Sequence, residues 1–269
     1  MKYIKLYENF NLTDRQIHAI CKKYGIENYT INNGVVDVDG SVSLYGFDLI
    51  ELPLKFGTIN GNFNCGGNRL TSLQGSPHTV KGDFNCQLNS LTTLEGGPKY
   101  VFGNFNCHTN KLTTLEGGPK YVGMNYHCYS NKLTNLKGSP NIVIDFYCHN
   151  NELTTLEGGP SIVNGYFNCS HNRLTDLSGC PRSVLYVFSC FNNKIYSLKS
   201  SPFIGVNFIC GGNPIQEVYV LFPNLKSFLQ SLDRDYFLDG NEINSIALED
   251  ALEEIGKELP DNILGYKLV

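Results

Sequence analysis

Asn104 to Pro119 reads NFNCHTNKLTTLEGGP, and recognisable copies of this stretch fill most of the chain. Aligning them places a cysteine at Cys65, Cys86, Cys107, Cys128, Cys148, Cys169, Cys190 and Cys210, each 20 or 21 residues after the last. Self-similarity at that period is the signature of a solenoid, in which each repeat buries its apolar face against its neighbours. In Phe105-Asn106-Cys107 the outer two side chains point inward and the middle one outward, the alternation of a short strand. Asn110 follows three residues after the cysteine, as do Asn68, Asn89, Asn131, Asn151, Asn172, Asn193 and Asn213. Its amide can satisfy backbone groups where the chain turns out of the sheet, so a column of them is an internal hydrogen-bond ladder. Leu112 and Leu115 bury beneath the turn, Gly117 and Pro119 end the rung, and Tyr121-Val122 are expected to cross the convex side to the next strand.

The spacing Phe-x-Cys-x-x-Asn-x-Leu resembles the core of leucine-rich repeats, with Cys at the third core position, and the Leu-x-Gly-x-Pro return is similar to the short bacterial type. The match covers about 42–218 and is specific because it recurs in register. The resemblance implies an α/β-type repeat solenoid: a curved parallel β-sheet on a concave face, short extended or 3₁₀ segments on the convex face, and a protein-binding role. Leu44, Phe47, Leu49 and Leu52 stand 21 residues before Cys65, Asn68, Leu70 and Leu73 and add a degenerate first rung, so about nine rungs are expected. At ~4.8 Å per rung they span on the order of 40 Å.

Composition narrows the function. Among 269 residues, Lys+Arg 21 against Asp+Glu 25 gives a net charge of -4, which supplies no basic field for a nucleic-acid backbone. No segment reaches the ~20 apolar residues of a membrane span, and MKYIKLYENFN has no apolar signal core, so a soluble, cytoplasmic chain is expected. Eight of the ten cysteines hold one inward position of the repeat. Bridging adjacent rungs needs Cβ atoms about 3.5–4.5 Å apart, closer than strands at ~4.8 Å normally hold them. They read as reduced core residues, and no CxxC pair within a rung supports a thiolate metal ladder.

The ends depart from the repeat. In 1–41, Thr13-Asp14-Arg15-Gln16 has the pattern of a capping box and opens a helix from about Asp14 to Tyr24 with Ile17, Ile20 and Cys21 on one face. Val36, Val38, Val42 and Leu44 alternate around Asp39-Gly40 and predict a hairpin feeding the first rung. In 219–269, Leu221, Leu225, Phe228, Leu229 and Leu232 predict one helix, and Ile243, Ile246, Ala247, Ala251, Leu252 and Ile255 a second; 259–269 adds an extended segment. Both ends are expected to cap the array.

Variation on a constant scaffold is where function is carried. The outward residue within each strand runs Asn64, Asn85, Asn106, His127, Tyr147, Asn168, Ser189, Ile209. The residue after the cysteine runs Gly66, Gln87, His108, Tyr129, His149, Ser170, Phe191, Gly211. With Tyr166, His171 and Tyr186 nearby, this makes a strip of histidine and aromatic residues. Such side chains cover much area for little lost entropy, the composition of a binding surface. The alternative is that Tyr and His merely suit exposed strand positions.

His108, His127, Tyr129, Tyr147, His149, Tyr166, His171 and Phe191 are therefore the candidate contacts for an unidentified protein partner. No cofactor or metal is implied: His108, His127 and His149 alternate between two columns with only Asp145 in support. Asp235 to Ile246 resembles a calcium loop, but Phe237 and Ile246 fill two ligand positions; Asp37-Val38-Asp39-Gly40 is too short and reads as a turn. The cysteines lack basic neighbours, and the segment after Ile215 contains none, unlike bacterial effectors that attach a cysteine ubiquitin ligase to this repeat, so an enzyme is the least favoured reading. MKYIKLYENF resembles the start of small proteins of tailed bacteriophages, and Leu6-Tyr7-Glu8 is similar to the Leu-x-Glu site of phage prohead proteases; alternatively Ile4, Leu6 and Phe10 simply dock on the cap. A structural virion or assembly component is the second expectation.

Overall fold

A computed structural model describes residues 12–198, 200–235 and 237–269, and in it the chain winds as a solenoid of stacked parallel strands. The largest sheet has nine strands, running in strict order from Val42–Ser43 to Asn207–Ile209. Partners sit one period apart, so like meets like: Phe63 pairs with Phe84, Phe84 with Phe105, Phe105 with Tyr126 and Tyr126 with Phe146. One strand stands immediately before Leu44 and before each of the eight repeat cysteines.

Every second residue is buried. The inward aromatics from Phe63 to Phe208 form a column with ring centroids 5.0 to 5.8 Å apart. Beside it runs the cysteine column, free of disulfides. Cys107, Cys128, Cys148, Cys169 and Cys190 each donate their thiol to a carbonyl of the next rung, Sγ···O 3.4 to 3.6 Å. Leu70, Leu91, Leu112, Leu133, Leu153 and Leu174 close the core on the far side, fully buried; each such side chain contributes about 1.5–3 kcal/mol by leaving water.

The asparagine ladder has the expected form. The Asn110 amide donates to Cys86 O at 3.0 Å and Cys107 O at 3.1 Å, and accepts from Leu91 N at 3.0 Å. The residue ahead of each ladder asparagine takes a left-handed backbone, φ 51 to 55° at Leu88, Thr109, Ser130, Asn150, His171 and Asn192, with glycine at 67 and 212. That conformation costs a non-glycine residue about 1–2 kcal/mol, which the ladder offsets.

Three expectations need correction. Tyr121-Val122 do not simply cross back: they form a strand paired in parallel with Tyr100–Val101. A six-stranded sheet ends at Tyr121–Val122 and a four-stranded one runs from Ile142–Val143 to Phe203–Ile204. The break falls where Tyr121 and Tyr126 are five residues apart but Ile142 and Phe146 only four. Losing a corner residue removes the slack that lets both sheets keep register. The other 20-residue period, Cys190 to Cys210, keeps its five-residue corner from Phe203 to Phe208, and Ser183 still pairs with Phe203.

Second, the hairpin is Tyr29–Asn32 against Val35–Val38, turning at Asn33-Gly34 with φ of 51 and 75°. Asn-Gly is the strongest turn signal of this kind, because both central residues need positive φ. Asp39-Gly40 is instead a corner: Val35–Val38 and Val42–Ser43 lie in different sheets. Third, Ile243 belongs to a strand, Glu242–Ile243, Ile246 is 71 % exposed, and the last helix is Ser245–Glu253, so Ile255 lies beyond it. Asn244 caps that helix by accepting from Ala247 N at 3.1 Å.

Elsewhere the ends follow the sequence. Helix Asp14–Lys23 has both capping-box bonds, Thr13 N to Gln16 Oε1 at 2.9 Å and Gln16 N to Thr13 Oγ1 at 3.4 Å, and buries Ile17 and Cys21. Leu225–Asp235 is helical, although Leu221, expected on that helix, lies in the turn after a separate short helix Gln216–Tyr219, and Lys267–Leu268 extends the Glu242–Ile243 pairing. Leu6-Tyr7-Glu8, with Ile4 and Phe10, lies outside the described residues.

Candidate functional site

The strip of His and aromatic side chains lies on the outer face of the nine-stranded sheet because the strand alternation that buries Phe105 and Cys107 leaves Asn106 and His108 half-buried. Parallel pairing one period apart then stacks equivalent outward residues. His108, Tyr129 and His149 form one pile, with centroids 4.2 and 4.5 Å apart and planes within 11°. His127 and Tyr147 form a second at 4.9 Å and 12°. Edge contacts join the piles, His127 to Tyr129 at 6.2 Å and Tyr147 to His149 at 6.4 Å. Five of the eight candidates therefore make one slab over three consecutive rungs.

The other three sit apart. Tyr166 packs against Tyr186 at 5.3 Å, beside Tyr147 rather than on it. His171 and Phe191 meet edge to face at 5.6 Å. Between them and the slab lies a small polar step, Ser170 Oγ to Ser189 Oγ at 2.8 Å. His171 also occupies a left-handed turn position, φ 55°, and its Nδ1 is 3.4 Å from Asn192 Nδ2.

Two features went unread in the sequence. Tyr45 extends the post-cysteine column at its start, and its ring lies so close over Gly67 that a Cβ there would sit 2.9 Å from it. Its signal is that it follows Leu44 as Gly66 follows Cys65. The second is a corner ladder three residues before each cysteine. Ser41, Asn62, Asp83, Asn104, Asn125 and Asp145 each accept the N–H of their counterpart one rung on, at 2.7 to 3.2 Å. It ends on Tyr166, the first counterpart without a short polar side chain.

Electrostatically the slab is neutral at pH 7. Burial holds the His108 imidazole down at about 4, helped by His127 and His149. Burial also lowers His127, against the pull of Asp145 and Asp83, and lowers His149, whose Nδ1 is buried without a hydrogen-bond partner. Tyr147 is pushed up to about 12 by burial and by Asp145, whose Oδ2 accepts its hydroxyl at 3.3 Å. The inner ring faces are used up on one another, so a partner meets mainly ring edges, hydroxyls and imidazole nitrogens, flanked by Asn106 and Asn168. Such a surface offers hydrogen bonds and apolar area without charge.

Nucleophilic chemistry finds no support in the cysteines. Burial raises every repeat thiol, Cys65 to about 12 and Cys210 to about 11, and the half-buried Cys180 also to about 12. Among the described residues no group of three or more His, Cys, Asp or Glu is arranged to hold a metal ion, and no helix is long and apolar enough to cross a membrane. Asp239 and Gly240, from the calcium-like segment, belong to a hairpin of Leu238–Asp239 with Glu242–Ile243. The chain matches no protein-family model, no curated protein and no solved structure.

Proposed function

We propose that this chain is a leucine-rich-repeat protein of the short bacterial type, non-enzymatic, that binds a protein partner through the His108–Tyr129–His149 and His127–Tyr147 slab. The repeat spacing, the parallel nine-stranded sheet and the asparagine ladder support the family reading. In it the slab lies on the concave face, and the helices of 1–41 and 219–269 cap the two ends. The protein acts in a cytoplasm, a bacterial host's if the chain is phage-encoded as MKYIKLYENF suggests.

One observation carries the binding role: five rings are already stacked, half-buried and uncharged before any partner arrives. Their rotamer entropy is spent on folding, so association loses little more, which favours affinity. The test is affinity capture from the native host with wild type and a Tyr129→Ala, Tyr147→Ala, His149→Ala variant. The variant is expected to keep its circular dichroism spectrum and lose the partner; a partner retained at equal yield refutes the assignment.

A further inference from the structure

The second face of the solenoid carries more apolar surface than the slab. In its parallel strands the inward residue is Val101, Val122, Val143, Val163 or Val184, and the alternation turns the preceding residue outward. That column holds Tyr100, Tyr121, Ile142, Ile162 and Phe203, interrupted only by Ser183. On the other flank of the valines stand Phe102, Ile144 and Leu185, and Tyr186 and Val206 continue the surface. All ten are between 38 and 67 % exposed. Phe102 and Tyr121 touch across columns, centroids 5.4 Å apart.

At about 200 Å² for a fully exposed large side chain, these residues present on the order of 900 Å² of mostly apolar area to water. The largest apolar patch of a typical monomer is about 300–600 Å². A standard stable interface buries about 800 Å² per partner. The strip is therefore the size of one complete interface.

We infer that this strip is the contact between two copies of the chain, packed face to face and antiparallel. Besides its area, its arrangement favours a second copy. Aromatic residues stand at both ends, Tyr100 and Tyr121 at one and Tyr186 and Phe203 at the other, with isoleucines between. An isologous two-fold contact needs a surface that complements itself. With the axis between Ile142 and Ile162, the isoleucines of each copy meet, and Tyr100 of one faces Phe203 of the other. Within each of the two sheets the strand rows of both copies rise at the same ~4.8 Å step. Lys81 lies over the Phe102 ring at 4.3 Å and starts a polar rim. The slab itself lies on the other sheet, and the strip meets the candidate contacts where Tyr186 packs on Tyr166.

Sedimentation equilibrium of the full-length chain tests it. Wild type is expected to show twice the 30.0 kDa chain mass at micromolar concentration. Ile142→Lys places two like charges beside the axis and should weaken the dimer about 30-fold or more with circular dichroism unchanged. Tyr100→Lys alone should weaken it as well, and Tyr100→Lys with Phe203→Glu should restore it, because each lysine then faces a glutamate of the other copy. The Tyr129→Ala, Tyr147→Ala, His149→Ala variant should remain dimeric, which separates this contact from partner binding. A wild-type chain monomeric at about 100 µM, an Ile142→Lys variant that still dimerises, or a double variant without recovery overturns the inference. So does a monomeric wild type that co-sediments with phosphatidylcholine vesicles, which would make the strip a lipid contact.

Discussion

Replacing Asn131 by alanine probes the scaffold where its parts are most interdependent. Asn131 is buried in the middle of the array. Its amide donates to Cys107 O and Cys128 O at 3.1 Å and to Tyr129 O at 3.3 Å, and its Oδ1 accepts Leu112 N at 3.0 Å. Alanine leaves the Leu112 N–H without its partner in a place closed to water, while Cys107 O keeps Asn110 Nδ2, Cys128 O keeps Asn151 Nδ2 and Tyr129 O keeps the Thr109 N–H. The orphaned N–H costs about 1–3 kcal/mol and the lost donations to the carbonyls add about 1 kcal/mol, so a loss of about 2–4 kcal/mol is expected. Asn131→Asp keeps the acceptor for Leu112 but sets a carboxylate among carbonyl oxygens, and should cost at least as much at pH 7. The assay is urea unfolding followed by circular dichroism, since the chain has no Trp. Hydrogen exchange at Leu112 and adjoining rungs supplies a local readout, because repeat arrays can lose cooperativity. A loss below about 1 kcal/mol for alanine, or an aspartate variant as stable as wild type, would show that the ladder is not what holds the turns.

Two further outcomes follow from the same geometry. Tyr126 replaces phenylalanine in the inward column, its hydroxyl is buried without a hydrogen-bond partner, and its polar neighbours are thiols, which are weak acceptors; Tyr126→Phe should raise stability by about 1 kcal/mol, and a lower melting temperature would reveal a partner. The histidine slab should make stability pH-dependent. His108 in the folded chain sits at about 4 against an ordinary value of 6.5, so as pH falls the unfolded chain takes up its proton first. The stabilisation is complete above about 6.5 and is lost down to about 4; discounted for its exposed half, it is about 1–2 kcal/mol. An imidazole signal of His108 titrating near 6.5 by NMR contradicts this.

The repeat and the outward placement of the His108, His127, Tyr129, Tyr147 and His149 side chains were legible because strand alternation and the 20–21-residue period both act along the chain. Less legible was anything that depends on two rungs at once. The valine alternation through 36–44 points to a hairpin at Asp39-Gly40, where the chain instead changes sheets, and the turn signal that holds, Asn-Gly at 33–34, lies just before that alternation. Tyr166 and His171 read as neighbouring outward positions of the same strip, but one terminates the corner ladder and the other sits in a left-handed turn.

The sequence by itself determined the solenoid, its inward columns of Phe, Cys and Leu, and the asparagine at each turn, because these needs recur identically in each rung and so are written as a period. Tertiary structure decided the second sheet, the break that a missing corner residue makes in it, and which outward rings touch. Those are pairings between residues one period apart, and their geometry is set by stacking, which no single rung encodes. It also decided that the broadest apolar surface lies opposite to where the variable residues drew attention. Tyr and Ile before a valine read as ordinary strand residues until neighbouring rungs align them into one exposed strip.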